Sequence, residues 1–204
     1  MTRLLPAILA MAAVVVASNI LVQFLFGDWL TWGAFTYPLA FLVTDISTRL
    51  YGAAAGRRVV FAGFAVGIAC SFVAAAFDAT TFRIALGSGI AFLTAQLLDV
   101  AIFDRLRRGP WWRAPLASTL VGSTVDTVLF FSIAFSATLV WLHPGSDVSW
   151  AAEAVPLLGA GPVAPLWVSL AVADLGVKIA LALIALLPFR LIVRRAARPA
   201  QEMR

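Results

Sequence analysis

Six ionisable side chains interrupt the long apolar runs of this sequence: Asp45, Arg49, Asp99, Asp126, Asp174 and Lys178. A charge at the centre of a membrane span costs roughly 2.5–3.5 kcal/mol, so together they cost on the order of 15–20 kcal/mol. That exceeds the stability of a typical fold, so these groups must be paired, neutralised or buried in a polar cavity. Their spacing indicates how. Asp45 and Arg49 are four apart, as are Asp174 and Lys178, so each pair shares one helix face and can neutralise itself. Asn19 and Gln23 are also four apart, Gln96 and Asp99 three apart, and Ser118, Gly122 and Asp126 repeat at four. Asp99 and Asp126 are left with no assigned cation. An unpaired buried carboxylate must be protonated, hydrogen-bonded by a donor-rich ligand or matched by a bound cation. Glue between helices is a weaker account of five polar stripes, because polar contacts in membranes average only about 0.6 kcal/mol. A shared central cavity that receives a polar solute explains the pattern best.

The elements that must position these residues follow from composition. Of 204 residues, 62% are hydrophobic and 12% charged, against about a quarter charged in soluble domains. Mean hydropathy is +0.98. The surplus apolar surface fits an all-α polytopic membrane protein and excludes a cytosolic globular enzyme or a disordered chain. Apolar segments at 4–26, 31–50, 59–77, 85–103, 115–141 and 165–192 predict a single six-helix transmembrane domain over 1–204. A signal peptide is the other reading of the first segment, but its length is nearer a full span. The arginines set orientation. Arg57 and Arg58 follow the second segment, Arg105, Arg107, Arg108 and Arg113 the fourth, and Arg190, Arg194, Arg195, Arg198 and Arg204 the sixth, while Arg3 precedes the first. The opposite loops hold Asp28, Asp78, Asp147 and Glu153, with Arg83 their only basic residue. Positive residues stay on the cytoplasmic side, which places both termini there. Trp29, Trp32, Trp141, Trp150 and Trp167 fall at outer ends or loops, and Trp111 and Trp112 in an inner loop, as in an interfacial belt.

Other features refine this reading. Pro38 interrupts the hydrogen-bond ladder of the second segment and is expected to kink it. Gly63 and Gly67 in the third have the small-xxx-small spacing of close helix packing. The outer loop 142–162 suits either a short interfacial helix over 147–158 or a lid. The single cysteine, Cys70, excludes an internal disulfide and a cysteine-built metal site. No P-loop, H-E-x-x-H or G-x-S-x-G is present, so the residues supply no ATPase or familiar catalytic centre. His143, the only histidine, reads as a solvated loop residue. The basic residues flank apolar runs rather than forming a stripe, which argues against nucleic acid. No cofactor or metal is expected, and the lipid bilayer is the expected surround.

Several strings, in order along nearly the whole chain, resemble the queuosine precursor transporter family, also called the vitamin uptake transporter or VUT family. They are Ser18-Asn19-Ile20-Leu21-Val22-Gln23, Thr31-Trp32-Gly33-Ala34-Phe35, Phe41-Leu42-Val43-Thr44-Asp45 with Arg49, and Tyr51-Gly52. They continue with Gln96-Leu97-Leu98-Asp99-Val100, Phe103-Asp104-Arg105-Leu106-Arg107, Trp111-Trp112, Ala117-Ser118-Thr119, Asp126-Thr127, Phe130-Phe131-Ser132-Ile133-Ala134-Phe135, and finally Asp174 and Lys178. The resemblance implies a six-helix inner-membrane importer of 7-cyano-7-deazaguanine and 7-aminomethyl-7-deazaguanine. A guanine-like edge offers an N–H beside an amino group, which a carboxylate accepts in a two-pronged contact. Asp126 or Asp99 would take that edge, with Asn19, Gln23 and Gln96 completing the polar contacts. Trp32 or Phe35 would stack on the base, and belt membership is the other reading of Trp32. Asp45–Arg49 and Asp174–Lys178 would shape the pocket or switch partners between states. Three alternatives to a self-sufficient transporter remain: a substrate-binding subunit needing a separate ATPase module, an intramembrane enzyme and a structural assembly factor.

Overall fold

The computed structural model describes residues 2–142, 144–145 and 147–197; His143, Arg198 and Arg204 lie outside the described residues. The chain is built from helices, α1 (Leu5–Leu21), α2 (Gly33–Thr36), α3 (Leu39–Tyr51), α4 (Ala53–Ala76), α5 (Phe82–Leu106), α6 (Arg113–Phe135) and α7 (Leu166–Ala197). Four of them, α4 to α7, are long and apolar enough to cross a bilayer, and α1 is a shorter apolar helix. This is an all-α, multi-pass membrane protein. Its few strands form two small antiparallel hairpins at one end of the bundle. β1 (Leu25–Phe26) pairs with β2 (Leu30–Thr31), and β3 (Ala154–Pro156) with β4 (Val163–Pro165). The opposite end carries the arginines that close α5 and α7 and open α4 and α6.

Two of three expectations for these segments are corrected. The first segment leaves its helix at Leu21 and runs through a turn over 22–24 into the β1–β2 hairpin, whose own turn holds Gly27 at φ +67°. In the second, Pro38 interrupts the ladder as expected, having no N–H to give: α2 ends at Thr36 and α3 begins at Leu39 with 13 residues, while Tyr37 and Pro38 between them keep helical backbone angles. The 142–162 loop holds no interfacial helix over 147–158. Short 3-10 turns at Ser149–Ala152 and Leu157–Gly159 flank β3, and Leu158 enters the left-handed region at φ 51°. The buried Ser169 hydroxyl accepts the Leu158 backbone N–H at 3.1 Å and holds that turn on α7.

Packing places α3 at the centre, against α1, α4, α5, α6 and α7. Gly52, at φ +87°, reverses the chain between α3 and α4 in one residue. Gly63 lets α4 approach α1, where an added Cβ would sit 2.6 Å from Met11 Cγ. Arg83, expected in an outer loop, lies fully buried in the first turn of α5. Its Nε donates to the Ile133 carbonyl at 2.6 Å and its Nη2 to the Ser136 carbonyl. It thus satisfies open carbonyls at the C-terminus of α6, where a cation also opposes the helix dipole. A basic residue at this end is therefore a cap rather than an orientation signal.

Gly122 is the tightest point between α3, α5 and α6: a Cβ there would lie 2.7 Å from Phe41 Cε1 and 3.3 Å from the Ala95 carbonyl oxygen. Phe41 is fully buried and cannot swing away. Gly122→Ala should lower the thermal midpoint of the detergent-purified protein, with a cost of about 1–3 kcal/mol for overpacking. Gly176→Ala, which meets open space, should leave the midpoint unchanged or raise it.

Candidate functional site

A cavity of about 150 Å³ lies beneath the β1–β2 hairpin, walled by α1, α2, α5, α6 and α7. On its α6–α7 side the polar wall is one connected cluster. Lys178 on α7 is buried and donates to Asp126 Oδ2 on α6 at 2.7 Å, to Asp174 Oδ2 one turn earlier at 2.5 Å, and to Thr127 Oγ1 at 3.0 Å. Thr127 in turn donates to Asp174 Oδ2 at 2.8 Å. The Tyr37 hydroxyl donates to Asp126 Oδ1 at 2.9 Å, and the ammonium stands 5.5 Å from the Tyr37 ring centroid. Two carboxylates share one ammonium, so the cluster keeps one net negative charge. Asp126 accepts one bond on each oxygen, and each retains a lone pair for a ligand N–H. Both hydrogen bonds to Asp174 fall on Oδ2, which leaves Oδ1 open toward the cavity. Asn19 donates Nδ2 to the Val15 carbonyl at 2.9 Å, and its side chain lines the same cavity with Ser18, Ser88 and Phe130.

The break at Pro38 positions Tyr37. As the last residue before the proline, Tyr37 closes the α2 turn through its N–H to the Gly33 carbonyl and projects toward α6 and α7. Gly33 and Ser18 bring α2 against α1: a Cβ at Gly33 would lie 3.0 Å from Val22 backbone atoms, and Ser18 Oγ meets Thr36 Oγ1 at 2.9 Å.

Of the residues singled out from sequence, Asn19, Asp126, Asp174 and Lys178 meet at this cavity, while the others lie elsewhere. Gln23 is exposed in the turn after α1. Trp32, 48% exposed, and Phe35 pack edge-on with Phe26, with centroids 4.9 and 5.0 Å from the Phe26 ring, and line no part of the cavity. Gln96 and Asp99 are fully buried in a second polar layer, closer to the arginine end. Gln96 Oε1 there accepts from Thr44 at 2.6 Å. The Asp45–Arg49 pair does not form. Arg49 is exposed and donates to the Arg107 carbonyl at 2.6 Å, whereas Asp45 is buried and accepts from Ser118 and Thr119, both at 3.2 Å. The side chain at the helix end reaches the open carbonyls of α5 rather than turning back into the bundle. Asp126 is not without a cation, because Lys178 serves it as well as Asp174.

Residues 31–193 match the family described as "Putative vitamin uptake transporter". The chain belongs to this family. A relative from Escherichia coli strain K12, named "Queuosine precursor transporter", is 34% identical over 86% of this chain and 79% of its own length. "Probable queuosine precursor transporter" proteins from Haemophilus influenzae and Bacillus subtilis are 40% and 33% identical. They match over 52% and 58% of this chain, and over 52% and 63% of their own lengths. No solved structure matches. Membership places the chain among membrane transporters and not among enzymes. Tyr37 and Thr127 belong to the buried cluster at the cavity without having been singled out by spacing. The only available signal for Tyr37 was a phenol directly preceding the proline that breaks an apolar segment.

The cluster predicts a sharp asymmetry between single and combined substitutions. Lys178→Met leaves Asp126 and Asp174 buried without their cation and should destabilise the protein by about 3–5 kcal/mol. Adding Asp126→Asn and Asp174→Asn removes the uncompensated charge and should restore most of the loss. Thermal unfolding in detergent would measure both.

Proposed function

We propose that this chain imports queuosine precursors, 7-cyano-7-deazaguanine or 7-aminomethyl-7-deazaguanine, by alternating access at the cavity around Asp126. The observation that carries the reading is a buried carboxylate with spare acceptor capacity in a cavity of heterocycle size, within a chain whose relatives are named queuosine precursor transporters. The remaining lone pairs on Asp126 suit the adjacent N–H and amino group of a guanine-like edge. Asn19 supplies amide contacts for the ring atoms. Asp174 Oδ1 suits the ammonium of the aminomethyl form, in line with the cluster's net negative charge. Phe130 and Tyr37, which line the cavity, take the stacking role in preference to Trp32 and Phe35, which do not.

In this reading the chain is one domain of six spans in the bacterial inner membrane, with both termini cytoplasmic, as the arginine distribution favours. Four helices of spanning length support four crossings. α1, with the 3-10 turn before it, forms a fifth. α2 and α3 together form a sixth, broken near the binding site as transporter helices often are. The cavity then opens toward the outer side beneath the hairpin, and the packed layer of Asp45, Gln96 and Asp99 closes the cytoplasmic side.

Binding titrations of the purified protein with both deazaguanines, and with guanine as a control, test the site. Asp126→Asn should weaken binding at least tenfold, because it turns one acceptor oxygen into a donor amide facing the ligand's donors; Gln23→Ala should leave affinity unchanged. Equal affinity for the wild type and Asp126→Asn would refute the assignment. Uptake by the chain alone in liposomes separates a self-sufficient transporter from a subunit that needs an ATPase module.

A further inference from the structure

The second polar layer contains two acidic groups for which solute binding has no use. Asp45 on α3 and Asp99 on α5 are 2% and 0% exposed. The Thr44–Gln96 bond fixes the register of α3 against α5 and sets Asp45, next to Thr44, and Asp99, one turn beyond Gln96, in the same buried layer, each within electrostatic reach of the other. Ser118 and Thr119 supply one hydroxyl to each oxygen of Asp45. Both oxygens of Asp99 are buried without a hydrogen-bond donor among the described residues.

No cation answers this pair. On α3 itself Arg49 turns outward to the Arg107 carbonyl. The first turns of α4 keep Arg57 and Arg58 exposed and present Val59 and Val60 inward. α6 contributes only its hydroxyls. α7 contributes Ala182 and Phe189 across a small void, and Arg190 lies over the Trp111 ring, 4.7 Å from its centroid. Lys178, Tyr37, Asp126 and Asp174 belong to the upper cluster, and Ser118 and Asp126 are eight residues apart on α6, about 12 Å at 1.5 Å per residue. Among the described residues, no Lys or Arg nitrogen comes within salt-bridge distance of either carboxyl.

Two neighbouring carboxyls buried in one layer, away from water and cations, cannot both carry charge. A metal ion would need several oxygen ligands and room for itself, whereas the void beside Asp45 is only about 10 Å³, at most one water. A proton needs no void. It also supplies the donor that Asp99 lacks, as an O–H shared between the two carboxyls. Between this pair and the cavity lie the buried side chains of Thr44, Gln96 and Ser123, of which Gln96 Nε2 and Ser123 Oγ have no partner among the described residues. They form a polar seam from one layer to the other.

We propose that Asp45 and Asp99 form a proton-binding site separate from the solute cavity, and that loading and unloading of this one proton drives solute movement. The proposal rests on the transport reading above. The proton enters from water on one side when the layer opens and leaves to water on the other, with no other group changed. With the membrane potential held at zero by a charge-compensating ion, a neutral solute carried with one proton accumulates roughly tenfold per unit of pH difference, the equivalent of 1.36 kcal/mol.

Proteoliposomes holding the full chain and labelled 7-cyano-7-deazaguanine, which is neutral, test this. The wild type should accumulate the base under an inside-alkaline gradient and not under a sodium gradient. Asp45→Asn and Asp99→Asn should retain base binding and exchange across the membrane while losing the pH-driven accumulation. Infrared spectra of the purified wild type supply a readout that needs no variant to fold: a deuteration-sensitive carboxylic C=O band persisting at neutral pH. Exchange that ignores the pH gradient overturns the proton site and leaves the transporter standing, as does a response to sodium in its place. A wild type that neither binds nor exchanges the base overturns the transport reading and the coupling with it. Absence of the infrared band overturns the shared proton in every case.

Discussion

A charge buried away from water must find its compensation inside the protein, and here one ammonium answers two carboxylates. Lys178 reaches Asp126 across the α6–α7 interface and Asp174 along its own helix. Thr127 bridges the lysine and Asp174, and Tyr37 adds a neutral donor to Asp126. These contacts tie α2, α6 and α7 to a single point, so the walls of the cavity are set by the same bonds that make its charge tolerable. The stoichiometry also leaves the cavity slightly acidic without leaving any carboxylate bare. Hydrogen bonds to charged groups are stronger in a poorly polarisable interior than in water, and leaving one unmade costs correspondingly more.

The broken second segment makes this arrangement possible. Tyr37 keeps a helical turn, with its N–H on the Gly33 carbonyl, and Pro38 after it interrupts the ladder before α3. The break is stabilised by local contacts rather than by lipid-facing helix: Gly33 sits against α1, and Ser18 and Thr36 share a hydrogen bond. Below it, α3 is short and surrounded by helices, which explains why its polar residues Thr44, Asp45, Ser47 and Thr48 are all buried.

The sequence was legible where one helix decided the outcome. Asp174 and Lys178 meet because a four-residue spacing on an unbroken helix leaves little else for them to do. The same spacing misled at Asp45 and Arg49, since it fixes proximity along the backbone but not which partner each side chain prefers. Arg49 lies near a helix end, where a long side chain can reach open carbonyls, and Asp45 lies one turn deeper, where only hydroxyls are in reach. Contacts between helices, such as Lys178 with Asp126, depend on packing that no spacing within one segment encodes. The hairpin over 25–31 was hidden for a different reason. Its strands are apolar enough to read as continued helix, and Gly27 is the only strong turn signal within it.

Polar stripes that looked like the lining of one cavity belong to two layers with opposite characters. The upper layer has its charges matched and keeps space beside them. The lower one is packed, with Gln96 Nε2, Ser123 Oγ and Thr48 Oγ1 lacking partners among the described residues. Each unsatisfied buried group costs about 1–3 kcal/mol in desolvation, and water would relieve that cost as soon as α3, α5 and α6 separated. Apolar packing at Phe41, Ala95 and Gly122 opposes the separation. A seal made of tight apolar contacts over unsatisfied polar groups holds its closed and hydrated forms closer in energy than an apolar plug would. On the proposed alternating-access reading, that balance suits the closed end of the solute path.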